Sequence, residues 1–153
     1  MNNQRLPLIA GLILLLALAV AALGWGLVRK PQLDSSSNEL AVTLTTAILH
    51  SGSTDQLLAI AHPTLIQNNP IETIQAQLTM VSFRLGSWNS IDNISGAASL
   101  PLLPFLDGAV TTASYEIGLS YAVAPAKALM EMIYEQGNWY VTSFNIDSEM
   151  LFP

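Results

Sequence analysis

The chain has no cysteine. This excludes disulfides, thiol nucleophiles, thiolate metal sites and the lipid-bearing cysteine of a lipoprotein anchor. Basic residues are almost as scarce, with five Lys and Arg against eleven Asp and Glu. Three of the five (Arg5, Arg29 and Lys30) flank one apolar run, so only Arg84 and Lys127 remain beyond it. All eleven acids also lie beyond it, so two positive charges against eleven negative leave that part at about −9. A nucleic-acid partner needs the opposite sign to neutralise phosphates, and that class is excluded. The two histidines, His50 and His62, lie far apart in sequence with no carboxylate cluster beside either, so no metal-ligand spacing is present. Phosphate-cradling glycine loops and nucleophile-elbow patterns are missing too. No metal, cofactor or catalytic residue is expected.

What the chain has in excess is apolar sequence. Residues 6–28 (LPLIAGLILLLALAVAALGWGLV) carry no charge and no strongly polar side chain. As a helix they would extend about 34 Å, enough for a bilayer core of about 30 Å. Arg5 stands before the run and Arg29-Lys30-Pro31 closes it, with Trp25 near the edge where an interfacial aromatic belongs. The rival reading is a cleaved signal peptide, since Ala17-Leu18-Ala19 and Ala19-Val20-Ala21 both fit a small-x-small cleavage pattern. The run continues past both sites, which favours an uncleaved anchor. Arg5 with the amino terminus nearly balances Arg29 with Lys30, so the positive-inside count barely chooses an orientation.

The rest divides by period. Residues 1–5 form a short tail, 6–28 the membrane helix, 29–38 a linker with a polar tether at QLDSSSN, and 39–153 one domain. Ser36 and Glu39 have capping-box spacing ahead of Leu40, Leu44, Ala47 and Ile48. Ser53 and Gln56 repeat that spacing before a shorter helix, with Leu57, Leu58, Ile60 and Ala61, that runs into His62-Pro63. Asn69-Pro70 opens a third helix whose stripe is Ile71, Ile74, Leu78, Val81 and Leu85. After Gly86 the period becomes two. Thr111 to Val123 alternates as a half-buried strand, with Ala113, Tyr115, Ile117, Leu119, Tyr121 and Val123 on one face. Trp139 to Ile146 is a second strand after a Gln-Gly-Asn turn, and Ser87 to Ala97 a further one. Ala126 to Glu135 has helix-favouring residues, but it lies between strands and runs directly into that turn. Pairing overrides propensity there, and the segment reads as a strand. The fold class is therefore α+β, with three helices packed on an antiparallel sheet of about four strands behind the membrane helix.

Helix, short helix ending in His-Pro, helix, then a sheet closing on Glu135, Gly137, Trp139 and Val141 resembles the nuclear transport factor 2-like (cystatin-like) superfamily over roughly residues 36–148. The resemblance implies a strongly curved sheet with helices in its concave face. Superfamily members that are enzymes use Asp, His and Tyr inside that cone, where this chain offers His62, Asp92, Tyr115, Tyr121 and Tyr134. His62, Tyr115, Tyr121 and Tyr134 are the ligand-cavity candidates, though His62 reads more simply as a cap on the second helix and the tyrosines as ordinary strand residues. Small bacterial proteins of this superfamily with one N-terminal membrane helix include bitopic scaffolds of secretion complexes. That implies, by analogy, an accessory or assembly subunit at the cytoplasmic (inner) membrane, its C-terminal domain outside. It would meet the bilayer through residues 6–28 and bind membrane proteins or itself. A module for a small apolar ligand, or an enzyme in the same cavity, is the alternative. One stretch fits no family pattern: Leu100-Pro101-Leu102-Leu103-Pro104-Phe105-Leu106 joins two strands with large apolar residues. Either it plugs an open end of the cone, or Leu102, Leu103, Pro104, Phe105 and Leu106 form a contact surface for a partner or the bilayer.

Overall fold

A computed structural model describes residues 5–101 and 108–151, with side chains described from Gly11 onward. Its first element is a single helix, α1 (Arg5–Ser51), of 47 residues and so about 70 Å long. It contains the whole apolar run. Its outer turns are bare: Leu16 is 69% and Leu27 77% exposed, so no part of the described protein covers them. This is one helix long and apolar enough to cross a membrane.

The expected tether is not a separate segment. Gln32 to Asn38 continues α1, and Leu33 and Ser37 are buried there beside Ala41, Leu44 and Ile48. Spacings of three and four put these residues on one stripe, so the contacts that order the later turns also order the earlier ones. Serine, aspartate and asparagine favour caps when isolated, but tertiary packing outweighs that preference here. Pro31 lies inside the helix, where it has no N–H to give the Leu27 carbonyl and its ring crowds that carbonyl, yet the helix continues through it.

Two short helices follow, α2 (Asp55–Ala59) and α3 (Pro63–Asn68), and then α4 (Ile71–Leu85). The sequence reading lacked α3 and placed His62 at the end of α2. His62 instead caps the start of α3, its ring accepting the Thr64 backbone N–H, with Pro63 at the first helical position. The strands are β1 (Trp88–Ser99), β2 (Thr111–Tyr121), β3 (Ala126–Glu135) and β4 (Asn138–Asp147), an antiparallel meander in spatial order β1-β2-β3-β4. The helices cover one face of this curved sheet, α1 on β1 to β3, and α3 and α4 against β4.

β3 is a strand because its pattern suits the middle of a sheet. Ala126, Ala128, Met130 and Met132 face the core, Lys127, Leu129 and Glu131 face out, and both edges are paired. β2 buries Ala113, Tyr115, Ile117, Leu119 and Tyr121 as expected, but ends there, leaving Val123 exposed. In β4 the alternation changes phase: Trp139 and Val141 point in, then Phe144 and Ile146. A bulge explains it, since Met132 pairs with Val141 and Glu131 with Ser143, leaving Thr142 as an extra residue.

Candidate functional site

The most developed polar arrangement sits where α1 leaves its apolar run. Lys30 and Asp34, one helical turn apart, form an ion pair at 3.1 Å. Both reach the end of β1. The Asp34 Oδ1 accepts the Ala98 backbone N–H at 2.7 Å, and the Lys30 ammonium donates to the Ala98 carbonyl at 3.0 Å. β1 is an edge strand, and its two backbone groups at Ala98 are thereby satisfied by side chains. A turn further on, the Ser37 hydroxyl donates to the Leu33 carbonyl at 2.7 Å and lies 2.8 Å from the Tyr115 hydroxyl of β2. Tyr115 also donates to the Asp34 carbonyl at 3.3 Å. The Trp139 indole N–H of β4 donates to the Ser36 hydroxyl at 3.0 Å, and its ring packs on Tyr134 with centroids 5.0 Å apart. Four residues of α1 thus fasten three strands, in a seam directly above the apolar run.

Below the seam, a groove of about 770 Å³ separates the helix from the end of β1. Ala22, Trp25 and Gly26 form part of one wall; Ala97 to Pro101 form the other. Among the described side chains from Gly11 to Lys30, these three helix residues alone are partly covered. They share a face at helical spacing, and that face meets the sheet. The Arg29 guanidinium lies over the Trp25 ring, 5.8 Å from its centre. Of the contact candidates, Leu102, Leu103, Pro104, Phe105 and Leu106 lie outside the described residues. Leu100 and Pro101, which lead into them, line the groove.

The four cavity candidates do not share one site. Tyr115 is buried against Ser37 in the seam. His62 and Tyr134 lie near the β3–β4 turn: the His62 Nε2 is 3.7 Å from Glu135, and the Tyr134 ring meets Trp139 at a tilt of 56°. Tyr121 is at the other end, in a cleft of about 450 Å³ with His50, Trp88 and Ser82. Burial pushes its hydroxyl pKa up to about 12, keeping it protonated. Asp92 lies on β1 beside Ser90, apart from all four. The concave face is filled by Leu44, Ile48, Ile117, Met130, Val141 and Phe144, all buried.

Sequence reasoning overlooked Lys30, Asp34, Ser36 and Ser37 as site residues. The available signals were the i,i+4 charge pair and the core stripe, which continues back from Ala41 through Ser37 to Leu33. No family model matches the chain, and no curated protein or solved structure matches it.

Proposed function

We propose that this chain is a membrane-anchored accessory subunit whose domain holds a protein-contact surface at a fixed height and angle above the bilayer. The observation that carries this reading is the seam. An anchor joined to an enzyme or a ligand carrier needs only a loose tether, whereas here the anchor helix is itself a core element of the domain, bonded to three strands. Such continuity suits a part whose orientation matters. The filled concave face favours the same role over a module that carries a small apolar ligand in its cone.

At the end remote from the membrane helix, the chain leaves large apolar side chains in water. Phe83 is 88% exposed and Val123 61%. They lie where α4 meets the β2–β3 turn, with the Val123 N–H donating to the Leu85 carbonyl. This tip is our candidate for the subunit contact, on a nuclear transport factor 2-like domain at the outer face of a bacterial cytoplasmic membrane.

The test is co-purification from mild-detergent membranes. A larger assembly should travel with the intact chain. Six Gly and Ser residues inserted between Val28 and Arg29 should abolish this without unfolding the domain, and so should Phe83→Ser with Val123→Ser. Intact chain that runs alone, at the mass of itself plus detergent, contradicts the proposal. Protease cleavage of the domain from the cytoplasmic side alone would overturn the orientation.

A further inference from the structure

The groove below the seam fixes the level of the strand ends relative to the apolar helix. Ala98 is bonded to Lys30 and Asp34, so it stands level with that turn. From there β1 runs on toward the apolar run and ends at Ser99, and the three residues from Ala98 to Pro101 can reach about 10 Å at most. On α1 about 10 Å corresponds to six or seven residues, from Lys30 down to Gly24 or Leu23. The groove lining agrees independently. Leu100 and Pro101 share it with Ala22, Leu23, Trp25, Gly26 and Leu27. Ala22 lies six residues inside the end of the apolar run, or about 9 Å along the axis, and a leaflet of hydrocarbon is about 15 Å deep.

If residues 6–28 span a membrane, the end of β1 cannot stay in water. We infer that the end of the sheet at Ser99–Pro101 is itself seated in the leaflet, giving the domain a second membrane contact beside its helix. The occupant of the groove is therefore the acyl region of the bilayer, continuous with the lipid that surrounds α1. The chemistry of its wall suits that occupant. Ala97, Ala98, Leu100 and Pro101 face Ala22, Leu23 and Leu27, with the one ion pair, Lys30 and Asp34, at the end toward the headgroups. Pro101 has no N–H to leave unpaired in lipid. Asp34 and Lys30 take the edge N–H and C=O of Ala98 just where the strand would otherwise present them to the interface. The sequence after Pro101 stays apolar until Asp107, which accounts for a greasy strand connection on an acidic domain.

This inference depends on the membrane-spanning reading of α1, and one experiment separates the two. The chain has no cysteine, so single positions can be labelled without background. Leu14→Cys, Leu100→Cys, Pro101→Cys and Val123→Cys are each labelled with an environment-sensitive fluorophore. The full chain is then reconstituted in phosphatidylcholine vesicles, with and without doxyl-labelled lipid. Labels at Leu14, Leu100 and Pro101 should emit to the blue and lose most of their intensity with the doxyl lipid, and the label at Val123 should not. Pro101→Cys serves if the half-buried Leu100 position disturbs folding. Quenching at Leu14 with water-like emission at both Leu100 and Pro101 would overturn the second contact while leaving the anchor. Water-like emission at Leu14 too would remove both.

Discussion

Two fragments of the chain should differ sharply in stability although neither contains the apolar run of α1. One begins at Arg29, the other at Glu39, and a mere tether between those points would make them equivalent. The shorter fragment loses Leu33, which is 5% exposed, and with it about 2 kcal/mol of apolar burial. It also strips three partners from the sheet: Asp34 from Ala98, Ser37 from Tyr115, and Ser36 from Trp139. Water can reach the vacated groups, so each costs only about 1 kcal/mol. Together with the burial this is about 5 kcal/mol, comparable to the lower end of the roughly 5–15 kcal/mol that holds a domain folded. Urea titration followed by far-ultraviolet circular dichroism gives both midpoints. The Arg29 fragment should unfold cooperatively at a clearly higher urea concentration, with the Glu39 fragment marginal or already unfolded. Coincident transitions would refute the seam as a source of stability.

Three further outcomes follow from single contacts. Trp139→Ala should cost about 3–5 kcal/mol and Ser36→Ala about 1 kcal/mol. The pair should fall short of additivity because both changes break the same bond, as a double-mutant cycle in urea would report. Gly96→Ala should destabilise by at least about 2 kcal/mol, since φ there is +142° and an added Cβ would strike the Ser114 carbonyl oxygen and stand 2.8 Å from the Tyr115 Cα; an unchanged melting temperature would contradict that geometry. Tyr121 supplies a pH test. Its pKa is pushed up by burial, from 10.0 to about 12, so between those values the unfolded chain sheds a proton that the folded chain keeps. Stability should therefore fall as pH rises from about 10 to about 12, and Tyr121→Phe should show a smaller fall over that window.

Periodicity made much of this fold legible. Alternation over Thr111 to Tyr121 and the stripe Ile74, Leu78, Val81 and Leu85 identify their elements because each buries one face only. Where two forces competed, local signals gave way to packing. The polar run Gln32 to Asn38 has the residues of a linker, yet Leu33 and Ser37 fall on the stripe that meets β2, and the helix persists. Ala126 to Glu135 has the residues of a helix, yet two neighbouring strands claim its backbone. The extra residue Thr142 leaves no mark in sequence, because a bulge is defined by the partner strand. The candidate site was less legible than the fold. A search for catalytic side chains selects His62 and the tyrosines by chemical type, whereas the residues that act together here do so through hydrogen bonds between elements distant in sequence.

Whether the apolar part of α1 and the sheet domain form one rigid body can be measured directly as a distance along the helix. Nitroxide labels at Leu16→Cys and Thr43→Cys lie on exposed positions of α1, one in the apolar run and one beside the sheet. A continuous helix separates them by 27 residues, about 40 Å. Pulsed electron resonance on the full chain in lipid nanodiscs should return one narrow distance distribution near that value. A broad distribution reaching to much shorter distances would mean that residues 29–38 are a tether, and a rigid anchor could not be the basis of this protein's role.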